Sequence, residues 1–387
     1  MDIECDVLIL GGGIAGLSLA SELARRAPAD RTPAGRAGTG HRVVLVEAED
    51  ALGRHASGRS AQQLIPAYGP PPVRELTGLT VAALLEPSPA PPTQLAWPGE
   101  FVLIGPRDQV AAEATGPMRV LGAGELTARC PELVGSGFEA AALDPTSVRT
   151  DAAALLEWHR SRATAAGVRV LTGTRVRAAG RSGERWSVAA GDRTITAGAV
   201  VDAAGAWADE VAGAFGAAPL GLVPLRRTAA VVTPARPLDD GHPMVGLTGD
   251  GWYYRAEGEQ VLVSPAEAVP SEPCDARPRP GDVEQVMAAI EAATDLEFTG
   301  VERAWTGLRT EAPDGVPVCG FDATVPGFLW LAGQGGYGFQ TSTAMARAAA
   351  DLLLHGAVGP WCSPETVAAL DPRRFAAAPR GSGAGPS

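Results

Sequence analysis

An apolar run, Val7, Leu8, Ile9 and Leu10, has the length and composition of a buried strand. It runs into Gly11, Gly12, Gly13, Ile14, Ala15 and Gly16, and then into an Ala/Leu-rich helical pattern that reaches Ala27. A second apolar run, Val43 to Val46, ends in Glu47. Further runs predict a strand at 100–104, a short helix at 123–129 and a helix at 150–166 with Asp151 near its start. Strands are expected at 169–176 and 186–190, and an apolar strand from Ala199 turns through Gly205 into a helix. A second series of strands follows at 225–234, 251–254 and 260–264, with a helix at 280–294. The strand 328–332 enters a glycine-rich loop, 333–340, and the helix 341–355. The pattern predicts an α/β chain: a Rossmann-like unit assembled from discontinuous segments, with a mostly antiparallel β-sheet unit threaded between them. The division expected is 1–67, 150–215 and 325–375 for the first unit and 68–149 and 216–324 for the second. The Gly/Pro/Ala/Ser-rich residues 376–387 read as a disordered tail.

The first glycines carry the chemistry of a dinucleotide site. Gly11 permits a tight turn, Gly13 lets backbone approach a pyrophosphate, and Gly16 lets the helix pack close to the strand. The helix start then directs N–H groups and partial positive charge at phosphate. Glu47 stands where an acid would bind the ribose hydroxyls of an adenosine. Its distance from Gly11 exceeds the usual ~20 residues. The excess falls in 28–40, a Pro/Gly/Arg-rich stretch that reads as a loop insertion.

Composition narrows the partners. A net charge of −12 argues against nucleic acid or an anionic membrane surface, and no apolar stretch is long enough to span a bilayer. The five cysteines, Cys5, Cys130, Cys274, Cys319 and Cys362, are scattered, which points to a reducing, cytoplasmic setting without disulfides. Neither they nor the five histidines have metal-ligand spacing, so no metal is expected. All 32 basic residues are arginine, so Schiff-base chemistry on lysine is impossible.

Several segments together resemble the FAD-dependent amine and amino-acid oxidoreductases of the D-amino-acid oxidase, glycine oxidase and sarcosine oxidase type. They are the Gly11–Gly16 loop with Glu47; Val200 to Trp207; Trp305, Thr306, Gly307, Leu308 and Arg309 followed by Pro313, Asp314 and Gly315; and the glycine loop 335–340. The resemblance extends over about residues 3–375. Within the family, the D-arginine dehydrogenase branch is the most similar in Gly58 to Ala61, Ala67 to Gly69, Val73 to Thr77, Arg226 to Ala229, His242 to Met244 and Gln334 to Ser342.

The resemblance implies a noncovalent FAD, because Gly307 stands where sarcosine oxidases carry the flavin-linking cysteine. The ADP part would be held by Gly11, Gly13, Ala15, Gly16 and Glu47, with Val176 and Gly205 as further contacts. Residues His55, Ser57, Arg59, Ser60, Ala61, Gln62 and Gln63 would wrap the pyrophosphate, ribityl chain and ring edge. Gln63 stands where the D-arginine dehydrogenase branch has a histidine. Backbone N–H groups from Gly335, Gly336, Tyr337, Gly338, Phe339 and Gln340 would meet the flavin edge where charge accumulates on reduction.

For the substrate, a planar and permanently charged guanidinium is suited to gripping a carboxylate. Arg309 is the leading candidate and Arg227 the second, with Arg226 turned away by strand alternation. Tyr68 and Tyr253 would close the site, Tyr254 facing away from Tyr253. Gln340 and Gly336 would touch substrate, and an acid at Glu100 would receive a cationic side chain. The expected activity is oxidation of a D-amino acid by hydride transfer from Cα to flavin N5, the imino acid then hydrolysing to a 2-oxo acid and ammonia. The electron acceptor is open among a quinone, a carrier and O2, and the absence of lysine favours an acceptor other than O2. The alternatives are a glycine or N-methyl amino-acid oxidase of a specialised biosynthetic pathway, a flavoprotein with a modification or interaction role, and an NAD(P)-dependent Rossmann dehydrogenase.

Overall fold

The computed structural model describes residues 2–26, 42–86 and 93–375. The expected insertion 28–40, part of the Pro-rich stretch and the tail 376–387 lie outside the described residues.

Strand Ile3–Leu10 lies between Val43–Val46 and Arg193–Asp202, parallel to both. Arg169–Leu171 and Phe328–Ala332 extend the parallel set on either side. Alternation assigns the two faces. Val7, Ile9, Val43, Leu45, Leu329 and Leu331 pack with helices Ile14–Arg25 and Ser342–His355, whereas Leu8, Leu10, Val44, Val46, Phe328 and Trp330 pack with helix Ala208–Ala214. Burial on both faces explains why these strands read as unbroken apolar runs. The register pairs Leu10 with both Val46 and Asp202, so the loops after these strands gather at one edge of the sheet.

The second sheet is built on the long pairing of Val223–Pro234 with Phe298–Glu311. Much of the latter strand is exposed and polar, which is why its N-terminal half carries no strand signal. Beyond Val223–Pro234 come Gln260–Ser264, Tyr253–Glu257, Met244–Leu247 and Phe101–Gly105. One face, with Val102, Ile104, Val245 and Tyr254, buries helix Asp282–Ala293 through Val283, Val286 and Ile290. The other face presents Phe101, Leu103, Met244, Tyr253 and Leu262. A three-stranded sheet of Gln63–Leu64, Val148–Thr150 and Ala96–Pro98 lies where the chain passes between the two.

Helix Pro71–Leu85 lies in the stretch that the sequence division gives to the second unit. It packs on Ser342–His355 through the fully buried Leu76. Its Glu75 accepts the Ser363 N–H at 2.7 Å and the Thr366 hydroxyl at 2.5 Å. Among the described residues no helix is long and apolar enough to cross a membrane.

Candidate functional site

The strand-end loops form a cradle. Gly11 has φ +110°, and a Cβ there would lie 2.4 Å from the Ala203 carbonyl oxygen. A Cβ at Gly16 would lie 2.0 Å from the carbonyl oxygen of Gly11, so only glycine lets the helix approach the turn. The loop is braced from two sides. Glu47 accepts the Gly12 N–H at 2.7 Å and the Glu49 N–H at 2.9 Å. Ser57 accepts the Ile14 N–H at 2.9 Å. Around this loop a cavity of about 340 Å³ is bordered by Gly11, Gly13, Glu47, His55, Ser57, Arg59, Val176 and Gly205. His55 lies against Trp207, ring centres 4.6 Å apart, and its Nε2 is 3.1 Å from Glu49. The Arg59 guanidinium turns to protein partners, the carbonyls of Thr306 (2.8 Å) and Ala276 (3.0 Å) and the carboxylate of Asp275.

The second cavity, about 350 Å³, is a chamber on the opposite side of the same two wall segments. Ala61 and Gln63 border it where Ser57 and Arg59 border the cradle, and Arg309 borders it where Leu308 borders the cradle. Arg309 and Arg227 come from adjacent antiparallel strands. The register sets Arg309 opposite Leu225 and Arg227 opposite Gly307, which makes the arginines diagonal neighbours on one face. Neither guanidinium forms an ion pair or hydrogen bond among the described residues, and Arg227 Nε is buried without a partner. Burial lowers the Arg227 pKa and Arg309 beside it adds to the effect. Burial also weighs against charge on Arg309, but Tyr253, Tyr68 and Asp250 outweigh it and hold its pKa up. Burial raises the Tyr68 phenol despite Arg309, which keeps the hydroxyl protonated and able to donate.

Strand alternation separates the neighbouring pairs. Tyr253 and Arg227 border the chamber. Tyr254 points to the other face and donates to Glu132 at 2.5 Å, and Arg226 is buried against the Arg277 carbonyl. Gly336 approaches Arg309 so closely that a Cβ would lie 2.9 Å from its Nη1. Gln340 borders the chamber, yet its amide is committed to protein. It donates to Thr77 (3.0 Å) and to the Tyr68 carbonyl (3.4 Å) and accepts from the Ile65 N–H (3.3 Å). Tyr337 lies edge-on to Tyr68 at 5.4 Å. Gly338 and Phe339 pack instead against the first helix around Ile14, Ser60 and Gln62 border an outer groove, and neither Ala15 nor Gly335 borders cradle or chamber. Gly335, at φ +53°, sits against the Glu311 side chain.

Glu100 is a correction. It does not border the chamber; its carboxylate is 3.1 Å from Arg129, half-exposed at the strand start. Phe101 and Leu103, which turn to the other face, do border it. Residues that the sequence reading missed include these two, Met118, Met244, Trp252, Asp250 and Ala266. Phe101 and Leu103 lie in an unbroken apolar run with Val102 and Ile104, so the sequence marked the strand but not which of its faces borders the chamber. Met244 opens a strand, whereas Met118, Asp250, Trp252 and Ala266 lie in turns and loops between strands and carried no signal of the chamber. Of the three non-glycine residues with positive φ among the described residues, Asp250 and Ala266 border the chamber, as strained backbone often does at sites, and Gln62 borders the outer groove.

Cysteine and histidine spacing predicts no metal, yet the fold brings Cys130, Glu132 and His242 together with possible ligand atoms within 4.8 Å of one another. This cluster lies behind the second sheet and away from the chamber. His242 Nδ1 donates to the Pro243 carbonyl at 2.7 Å, and Nε2 is 3.0 Å from Glu132. Burial alone would raise the Glu132 carboxyl, but the His242 and Tyr254 hydrogen bonds prevail and lower it.

The family model described as FAD dependent oxidoreductase (DAO) matches residues 6–352. The chain is 28% identical over 195 residues to the hydrogen cyanide synthase subunit HcnC of Pseudomonas aeruginosa, a match covering 49% of this chain and 45% of that protein. Over the shared fold it is similar to the L-proline dehydrogenase of P. horikoshii, with TM-score 0.82, 19% identity and coverage of 97% and 99% of the two chains. It is also similar to the glycine oxidase of Geobacillus kaustophilus, with TM-score 0.76, 22% identity and coverage of 91% and 95%. The cradle fits the cofactor of that family: side chains are excluded where a pyrophosphate must approach, and an acid stands at the end of the second strand. With a glycine cradle braced by Glu47 and Ser57 and a family match over most of its length, the chain belongs to the FAD-dependent oxidoreductase (DAO) family, with FAD as its cofactor.

Proposed function

We propose that the protein oxidises a D-amino acid to an imino acid, which hydrolyses to a 2-oxo acid and ammonia. The observation that carries this reading is the pair of guanidiniums, Arg227 and Arg309, that border one chamber and form no ion pair or hydrogen bond among the described residues. Two neighbouring guanidiniums that no carboxylate among the described residues engages in an ion pair make a site for a carboxylate, and their fork geometry orients it. The hydroxyls of Tyr68 and Tyr253 border the same wall and supply further donors. Gln340 acts as a positioning residue, since its amide ties the Tyr68 backbone to the helix Pro71–Leu85.

The amino group enters neutral, having given one proton to solvent, so that its lone pair can form the C=N bond as Cα loses hydrogen with its electron pair. FAD, held in the cradle, supplies the acceptor for that hydrogen and two electrons. Apolar walls keep water from the reacting carbon until the imino acid leaves. Water then adds to the C=N bond and ammonia departs. Electrons pass on to a quinone, a carrier or O2. The FAD is held noncovalently, Gly307 offering no side chain for a bond.

The test is anaerobic bleaching of the bound flavin by individual D- and L-amino acids, with glycine and sarcosine alongside. Bleaching by D-amino acids is expected. No response to any of them overturns the reading, and a response to glycine or sarcosine alone favours the N-methyl or glycine oxidase alternative. Acid precipitation should release the flavin into solution. Retention would overturn noncovalent binding and direct attention to Cys274, which borders the cradle.

A further inference from the structure

We infer that the chamber selects an amino acid with a bulky uncharged apolar side chain, in the size range of leucine to phenylalanine; this rests on the proposed amino-acid oxidation. Ile65, Phe101, Leu103, Met118, Met244 and Trp252 form the apolar part of its lining, which Arg74, Thr115 and Gln63 share. Phe101, Leu103 and Met244 share one face of the second sheet, and their side chains pack as one apolar cluster with Tyr253 and Ile65. The acids that border the chamber, Asp250 and Glu113, are exposed. Asp250 takes a long contact of 3.4 Å from the Tyr68 hydroxyl, and Glu113 accepts the Gly249 N–H at 3.0 Å, so both belong to the mouth.

Size points the same way. The chamber holds about 350 Å³, and water occupies about 30 Å³ per molecule in the liquid. Glycine would displace only a few of those waters and leave Phe101, Leu103 and Met244 wetted. A leucine, methionine or phenylalanine side chain would displace several more of them and bury its own apolar surface. A charged side chain directed at the face of Phe101, Leu103 and Met244 would lose its water there without gaining a partner. Two methionines in the wall let it adjust to several apolar shapes. The sequence reading, by placing an acid at Glu100, expected a cationic side chain. That acid is held by Arg129, and its chain neighbour Phe101 takes the wall.

The experiment is stopped-flow flavin reduction of the anaerobic holoenzyme, comparing limiting rate over Kd for leucine, methionine, phenylalanine, glycine, alanine, lysine, arginine and glutamate, each chiral one in both enantiomers. In the reactive enantiomer the three apolar substrates should exceed glycine, lysine, arginine and glutamate by on the order of a hundredfold, at about tenfold or more per well-packed methylene. Glycine, lysine, arginine or glutamate equal to or ahead of the apolar set overturns this inference while leaving amino-acid oxidation standing. A flavin that no amino acid bleaches removes both. Leu103→Glu should raise Kd for phenylalanine on the order of a hundredfold with a smaller change in limiting rate, and should improve lysine. Leu103→Ala, which keeps the wall apolar, should move the preference about tenfold from leucine toward tryptophan. An unchanged ranking in Leu103→Ala holoenzyme would overturn the assignment of this wall to the side chain.

Discussion

Arg309 and Arg227 show how much one residue can depend on its partner strand. Each is an ordinary arginine in a chain with 32 of them. What distinguishes them is that, bordering one chamber, neither forms an ion pair or hydrogen bond among the described residues. Replacing Arg309 by Met should therefore cost about 3 kcal/mol of transition-state binding, on the order of a hundredfold in kcat/KM, while flavin absorbance of the purified protein stays intact. A normal kcat/KM in that variant would remove Arg309 from the site. Motif position points to Arg309, which borders the chamber, and strand alternation separated Tyr253 from Tyr254 and Arg227 from Arg226. Glu100 was misjudged by one residue, because alternation on a short strand turns the neighbour, Phe101, to the chamber and leaves Glu100 to Arg129.

Elements are where local pattern and tertiary contact meet. The first helix can approach the turn after the first strand only because Gly16 has no Cβ; one would lie 2.0 Å from the Gly11 oxygen. Gly16→Ala should force the two apart, cost about 1–3 kcal/mol of stability and strip FAD from the purified protein, read as lost absorbance near the flavin band. The helix Ala152–Ala165 carries a different liability. His159 on it is 3% exposed and neither ring nitrogen has a hydrogen-bond partner among the described residues. Burial, with Arg162 adding to it, lowers its pKa to about 3 from the ordinary 6.5. The unfolded chain therefore binds the proton first, and stability falls as pH drops from about 6.5 toward 3, by up to ~1.4 kcal/mol per pH unit for this one group. His159→Leu should flatten that slope, measured as the difference in urea midpoint between variant and parent from pH 7 to 5. Parallel slopes would contradict a neutral buried His159. Periodicity found this helix and its Asp151 cap, whose side chain accepts the Ala154 N–H at 2.9 Å, since both signals are local.

At the scale of the whole molecule, the cradle and the chamber share two wall segments although their residues come from distant parts of the chain. The glycines of the cradle lie near residue 11, and Arg309 lies on the last long strand of the second sheet. Bound FAD is thus coupled to the stability of both sheets. Protein stripped of flavin should unfold at lower temperature and regain its midpoint with added FAD but not with NAD. At a hundredfold excess over Kd the gain is about 2.7 kcal/mol. Recovery with NAD would contradict the cofactor assignment. The sequence by itself determined the α/β class, the glycine cradle with its acid, and the resemblance that named the arginines. These are written in short-range periodicity and in positions where only glycine fits. The apolar character of the chamber, the commitment of Gln340 to Thr77 and Tyr68, and the cluster of Cys130, Glu132 and His242 were decided by the tertiary structure alone. They depend on which strands lie side by side and on which face each residue turns, and neither is recorded in the spacing of residues along one chain.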